Sequence, residues 1–340
     1  MVLGLTPVGG VPAMTKPRFA AVLPTTSFEV TRTFAERAEA GGFDTVAIED
    51  HYFIRAVGQT PQEPRLECFT ALAAVAMATR RVKLAQLVAC NSFRHPAMTA
   101  KIATTIDHIS GGRLELGLGA GWFREEYDAL SMPYPPPNVR VEQLAEALRI
   151  IKKLWSEPVT NFDGKHYRVQ GLYAEPKPIQ KPRPKIMLGG SGPALIRLAA
   201  EEADILNMIP PTGGKFGEVV IEDALKFDTA EFRRRAGMLR DHARKVGRNP
   251  AEIELSQFPF VIMGTDRAST DAMLAAMAQM MGVKDTEAAR HSPSTLVGDG
   301  AQCRDEISRR VEELEVTYFF CRFLDPDTMG RFIDDVIARL

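Results

Sequence analysis

Short apolar runs alternate with stretches of helical periodicity along nearly the whole chain, and this alternation is its strongest structural signal. Residues 18–23 form the first apolar run, stopped by Pro24; Ser27 then offers an N-cap to a helical pattern that continues through Ala40 to Gly41-Gly42. Residues 45–49 read as a second strand, followed by a proline-rich loop and a helix over 67–78. A third strand is predicted over 82–89 and a third helix over 96–109, with Pro96 at a first turn where its missing N–H is not needed. The fourth strand, Leu114-Glu115-Leu116-Gly117-Leu118-Gly119, breaks into Gly119-Ala120-Gly121. Beyond Pro133 and Pro135 to Pro137, residues 140–155 place Val141, Leu144, Leu148, Ile151 and Trp155 at helical spacing.

The second half continues the pattern. A hairpin is predicted over 160–169 around Asp163-Gly164, a dipeptide suited to a type I′ turn, and Pro176, Pro178, Pro182 and Pro184 should hold the chain extended up to strand five, 185–188. Strand six spans 203–209, and residues 210–217 begin a long segment expected to act as a mobile lid. A basic helix over 231–246, a seventh strand over 253–263, helices over 269–281 and 299–314, an eighth strand over 316–321 and a last helix complete the chain. Eight strand-helix alternations predict an α/β protein of the closed (β/α)8 TIM-barrel type with insertion loops.

Composition narrows the function classes. With 45% hydrophobic and 25% charged residues among 340, the chain can bury an ordinary core; a formal charge of -1 offers no basic footprint for nucleic acid. Cys68, Cys90, Cys303 and Cys321 are widely spaced, which fits a reducing compartment rather than a disulfide framework or zinc site. No apolar run approaches the ~20 residues of a membrane span. Residues 1–16, rich in Gly and Pro and without the basic region of a signal peptide, are expected to be a disordered extension before one domain over 17–340; Met14 is an alternative start. A cytoplasmic location follows from these expectations.

Two glycine clusters stand at strand ends, where bare amides can meet a ligand: Gly119-Ala120-Gly121, and Gly189-Gly190-Ser191-Gly192 leading into a helix. The second would suit a phosphate, but its glycines would equally permit a tight turn, and the sequence leaves both open. Neither matches the dinucleotide fingerprint or a P-loop. Asp50-His51 follows the second strand, and a histidine there can transfer protons near neutral pH or simply brace its loop. His95 and His108 read as structural, and His166, His242 and His291 lack partners at metal-ligand spacing, so no metal site is expected. Glu125 and Glu126 read as a solvated helix start, Tyr127 as a residue pointing into a pocket, and Trp122 as either pocket wall or core.

Ser110-Gly111-Gly112-Arg113, then Gly117-Leu118-Gly119-Ala120-Gly121-Trp122 and Glu126-Tyr127, with Arg94-His95-Pro96 upstream and Leu188-Gly189-Gly190-Ser191-Gly192 downstream, resemble the signature of the bacterial-luciferase-like oxidoreductases. The resemblance runs from about Arg18 to the C-terminus and is strongest to the branch that uses the deazaflavin coenzyme F420. It implies F420 as cofactor, with reduced flavin mononucleotide (FMN) and oxygen as the alternative, and a homodimer taking a small-molecule substrate. It further implies His51 as the catalytic proton donor. Asp50, Leu87, Val88, Gly119, Ala120, Gly121, Trp122, Tyr127 and Leu188 would lie against the cofactor, with its phosphate on Gly189, Gly190, Ser191 and Gly192. Lys215 or Arg197 would meet its acidic tail. A non-proline cis peptide is implied at Leu87-Val88. Trp122 and Arg55 stand where the family's sugar-phosphate dehydrogenases carry glutamate and tryptophan, which implies a more apolar pocket for a carbonyl, imine or activated alkene. A relative that keeps the barrel without turnover is the remaining alternative.

Overall fold

The computed structural model describes residues 16–54, 60–211, 227–280 and 282–340. Its strands are β1 (Arg18–Val22), β2 (Thr45–Ile48), β3 (Lys83–Gln86), β4 (Ala89–Cys90), β5 (Leu114–Gly119), β6 (Thr160–Asp163), β7 (Arg168–Leu172), β8 (Lys185–Gly189), β9 (Ile205–Asn207), β10 (Glu254–Gln257), β11 (Phe260–Ile262), β12 (Thr295–Val297) and β13 (Val316–Phe323). Eight of them, in the order β1-β2-β3-β5-β8-β9-β10-β13, pair in parallel, and β13 returns to β1 with Arg18 opposite Tyr318. The chain is therefore a closed (β/α)8 barrel, as the alternation predicts. Among the described residues no helix is long and apolar enough to cross a membrane.

Side chains alternate across the barrel wall. Along β1, Phe19 and Ala21 face the surrounding helices, while Ala20 and Val22 face inward with Ala47, Ala85, Met187, Ile205, Tyr318 and Phe320. Small residues dominate on β1 to β5 because the interior is narrow: a Cβ on Gly117 would come 1.9 Å from the Gln86 carbonyl oxygen. The amino end of the barrel is closed by charge instead. Buried Glu115 accepts hydrogen bonds from Arg18 (2.8 Å), Lys83 (3.0 Å) and the Tyr318 hydroxyl (2.9 Å), and Arg18 also reaches Glu254 at 2.8 Å. Burial pushes the Glu115 carboxyl up, but Arg18 and Lys83 outweigh it and hold it below the usual range.

Helix boundaries follow local chemistry. The Ser27 hydroxyl accepts from the Val30 amide to start α1 (Phe28–Ala40), α2 spans Cys68–Ala78, and His95 caps α3 (Pro96–Ser110) through Nδ1. His108 donates to the Lys177 carbonyl, so both histidines are structural. A short α4 (Arg124–Ala129) precedes α5 (Pro137–Ser156), which begins three residues earlier than its apolar spacing implies because Pro137 supplies the first turn. After β8 comes α6 (Pro193–Glu202).

Three expectations need correction. The third and seventh strands are each split, into β3 and β4 and into β10 and β11, and β11 pairs on one side with the barrel strand β13 and on the other with β12. The hairpin β6–β7 has no type I′ turn. Gly164 is not in the left-handed region, and residues 164–167 fold over Glu146, whose carboxylate accepts from the amides of Lys165, His166 and Tyr167 at 2.8, 2.9 and 3.0 Å. The spaced prolines do not run uniformly extended: Glu175-Pro176 and Lys181-Pro182 are cis. The expected lid falls largely on residues 212–226, outside the described residues, as do the N-terminal extension up to residue 15, Arg55 and Lys215.

Candidate active site

The carboxyl ends of the strands enclose a cavity with about 600 Å³ of water-accessible room, and both glycine clusters lie at this one mouth. Its wall includes Asp50, His51, Leu87, Val88, Gly119, Ala120, Gly121, Trp122, Tyr127, Gly189, Gly190, Ser191 and Gly192. Leu188 is the exception. Alternation along β8 turns its fully buried side chain into the layer between barrel and helices, which corrects its expected place against a cofactor.

The floor is shaped by the break in the third strand. Leu87-Val88 is a non-proline cis peptide, at the bond where the resemblance implies one. Val88 fills the space left by two glycines: a Cβ on Gly119 would come 2.8 Å from its Cγ2, and one on Gly189 would come 2.7 Å from the same atom. Those glycines therefore seat Val88 as well as baring the backbone. Gly121, at φ +81°, gives way to Tyr127, whose hydroxyl donates to Ser92 at 2.9 Å and lies 3.4 Å from the Cys90 sulfur. Burial raises Tyr127 well above its ordinary range and pushes the Cys90 thiol up to about 11, so both stay protonated and inert near neutral pH.

His51 is held from behind. Its Nδ1 lies 2.9 Å from Oε2 of Glu126, while Oε1 of Glu126 accepts from the Tyr52 amide at 2.5 Å. Trp122 and Phe123 meet the imidazole edge-on at 5.7 and 6.3 Å. With Nδ1 occupied, Nε2 is the ring atom left for a ligand. Glu126 is 1% exposed, which overturns its reading as part of a solvated helix start; Glu125 beside it is exposed. Asp50 lines the cavity, but its carboxylate is committed to Arg94 (2.6 and 2.9 Å) and the Cys90 amide (3.0 Å), so it braces the β2 end.

Two polar groups of the cavity wall suit an anion. Ser191 is 3% exposed, and its hydroxyl has no partner among the described residues. Arg140, which sequence reasoning missed, lines the same cavity from the first turns of α5. Its guanidinium lies over the Tyr134 ring at 4.1 Å and donates to the carbonyls of Gly121 (3.2 Å) and Pro135, with no carboxylate partner among the described residues. Its one signal in the sequence is a basic residue at the start of an otherwise apolar-faced helix. Arg197 is exposed on α6 and away from the wall. His166 and His242 have acidic neighbours after all, Glu142 at 3.1 Å and Glu201 at 2.8 Å, but as single pairs.

A family profile described as luciferase-like monooxygenase matches residues 10–317. The chain belongs to this luciferase-like family. Its relatives include the FMNH(2)-dependent dimethylsulfone monooxygenase of Pseudomonas putida, 31% identical over 53% of this chain and 48% of that protein. They also include the 5,10-methylenetetrahydromethanopterin reductase of Archaeoglobus fulgidus, 30% identical over 68% of this chain and 66% of that protein. The chain thus spans about half to two thirds of the length of these curated relatives. Among solved structures, an F420-dependent secondary alcohol dehydrogenase superposes with a TM-score of 0.78 at 18% identity, covering 95% of this chain and 99% of that one. Sequence relatives named for F420 and sequence relatives named for reduced FMN both match this chain.

Proposed function

We propose that this luciferase-like protein is an oxidoreductase that moves a hydride between coenzyme F420 and a small organic substrate of the carbonyl, imine or activated-alkene class. The observation that carries the reading is the His51–Glu126 pair, a histidine fixed at 2.9 Å by a buried carboxylate in the wall of a largely apolar cavity. The residues present fit the cofactor. The unpartnered Ser191 hydroxyl and the Arg140 guanidinium would hold its phosphate, and the bared backbone of Gly119 to Gly121 with Leu87 and Val88 would face its ring. When bound, F420 supplies a hydride-carrying carbon that reacts poorly with oxygen.

The protein supplies the proton and the dry wall. Nδ1–H of His51 donates to Glu126, which fixes the orientation of the ring; from the doubly protonated ring Nε2–H gives its proton to the substrate oxygen, nitrogen or alkene carbon, and in the reverse direction the neutral Nε2 takes it back. Leu87, Trp122, Phe123 and Ile54 exclude water from that transfer. A monooxygenase reading with reduced FMN draws support from relatives such as the dimethylsulfone enzyme. Titration of the purified protein with F420 and with FMN, followed by absorbance and calorimetry, separates the readings. Tight F420 binding with weak FMN binding is expected; the reverse would transfer the assignment to the monooxygenase, and binding of neither would favour a non-catalytic relative.

A further inference from the structure

Across the mouth from the glycine turns, the outer strands carry a second polar feature that neither the proton-transfer pair nor the proposed phosphate ligands use. Phe260 of β11 stands in register with Thr295 of β12 on one side and Arg322 of β13 on the other. Ser294, next to Thr295, and Arg322 both line the cavity. Phe258 and Phe260 stack at 5.8 Å between ring centres, and the Arg322 guanidinium lies over both, 5.3 and 5.8 Å from their centroids.

Two donors on this wall are unspent. Nε of Arg322 and Oγ of Ser294 are buried without a hydrogen-bond partner among the described residues, and buried donors are rarely left so. The charge of Arg322 is already met by Glu49, which lines the same cavity. Burial pushes Glu49 up, but Arg322 and its other cationic neighbours outweigh this and keep it ionised. A full anion placed here would face that carboxylate. A neutral oxygen would not.

We infer that Arg322 and Ser294 form a substrate subsite that takes a neutral oxygen acceptor, a ketone, ester or amide carbonyl, on a ligand whose apolar body lies along Phe258, Phe260 and Leu324. The inference rests on the proposed oxidoreductase reading for calling that ligand a substrate, but not for its binding. It sets specificity by the general rule that an unpartnered buried donor discriminates against ligands lacking the matching acceptor.

The test needs no cofactor. 4-Phenyl-2-butanone and butylbenzene, similar in shape and differing in the carbonyl, are titrated against the free protein while following the fluorescence of Trp122, which lines the cavity. The parent should prefer the ketone by roughly 3–10-fold, the span of one net hydrogen bond. Ser294→Ala should reduce that preference, and so should Arg322→Lys, which keeps a cation beside Glu49 but removes Nε–H. Butylbenzene affinity should hold in both, which also shows that the cavity is intact. A parent that prefers neither probe or binds neither up to its solubility limit, or variants that keep the parent's preference, would overturn the inference. Absence of F420 binding in a separate titration would sink the functional reading alone.

Discussion

The two ends of the barrel use the same kinds of side chain to opposite effect. At the amino end Glu115 is surrounded by Arg18, Lys83 and the Tyr318 hydroxyl. At the carboxyl end Glu126 and Asp50 are buried and Glu49 half-buried in their pairings, yet the wall they support carries groups without a hydrogen-bond partner among the described residues, Oγ of Ser191 and Nε of Arg322, beside Nε2 of His51. A buried charge closed on itself specifies structure. One that leaves a neighbour's donor over provides chemistry, and the burial of the charge alone does not separate the two cases.

The contrast can be broken most visibly at His51. His51→Ala should lower turnover about 10²–10⁴-fold while cofactor affinity barely moves, because a general acid acts only in the transition state. Equal turnover, or a loss confined to binding, measured by steady-state kinetics beside cofactor titration, would return His51 to a loop-bracing role. The mirror experiment is Glu115→Gln. Breaking a buried ion pair costs about 3–5 kcal/mol, so urea unfolding should show a loss of that order, with cofactor affinity of the folded protein unchanged.

Glu115 also gives the comparison a pH axis. Its folded carboxyl lies below the ordinary value, so its stabilisation is complete above the unfolded value of about 4.3 and disappears as pH falls through the lower folded value. The parent should therefore lose more stability than Glu115→Gln as pH drops below about 4.3, read from thermal melts across that window; parallel curves would contradict the assignment. A smaller effect is expected from Gly189→Ala. Its new methyl must displace Val88, and overpacking of this kind costs about 1–3 kcal/mol, here with weakened cofactor binding as a second readout.

Much of the architecture was legible because strand and helix periods differ and because Ser27, Pro96 and Gly41 punctuate them locally. The failures share a cause, which is contact between residues distant in sequence. Glu126 sits in an acidic, Arg-flanked helix start, and its partners, the His51 imidazole and the amide of Tyr52, lie 75 and 74 residues earlier. Asp163-Gly164 has the residues of a type I′ turn, but Glu146 of α5 gathers the following amides into a wider loop. Leu188 shares a motif with the glycines yet faces away from them, which strand alternation alone could have revealed. The splits at Leu87-Val88 and after Gln257 put Leu87, Val88 and Phe258 in the cavity wall, and pairing resumes beyond each, β4 with β5 and β11 with β13.

Val88 touches the space of two glycines on different strands, so positions 88, 119 and 189 cannot vary independently. Gly189→Ala on its own is a clash; in a Val88→Ala background the same methyl meets a shorter side chain, and the two changes together should cost less than the sum of each alone. Natural variation would be expected to carry the same signature, with a small residue at 88 wherever either turn acquires a side chain. Epistasis of that kind would tie two turns 70 residues apart into one inherited unit.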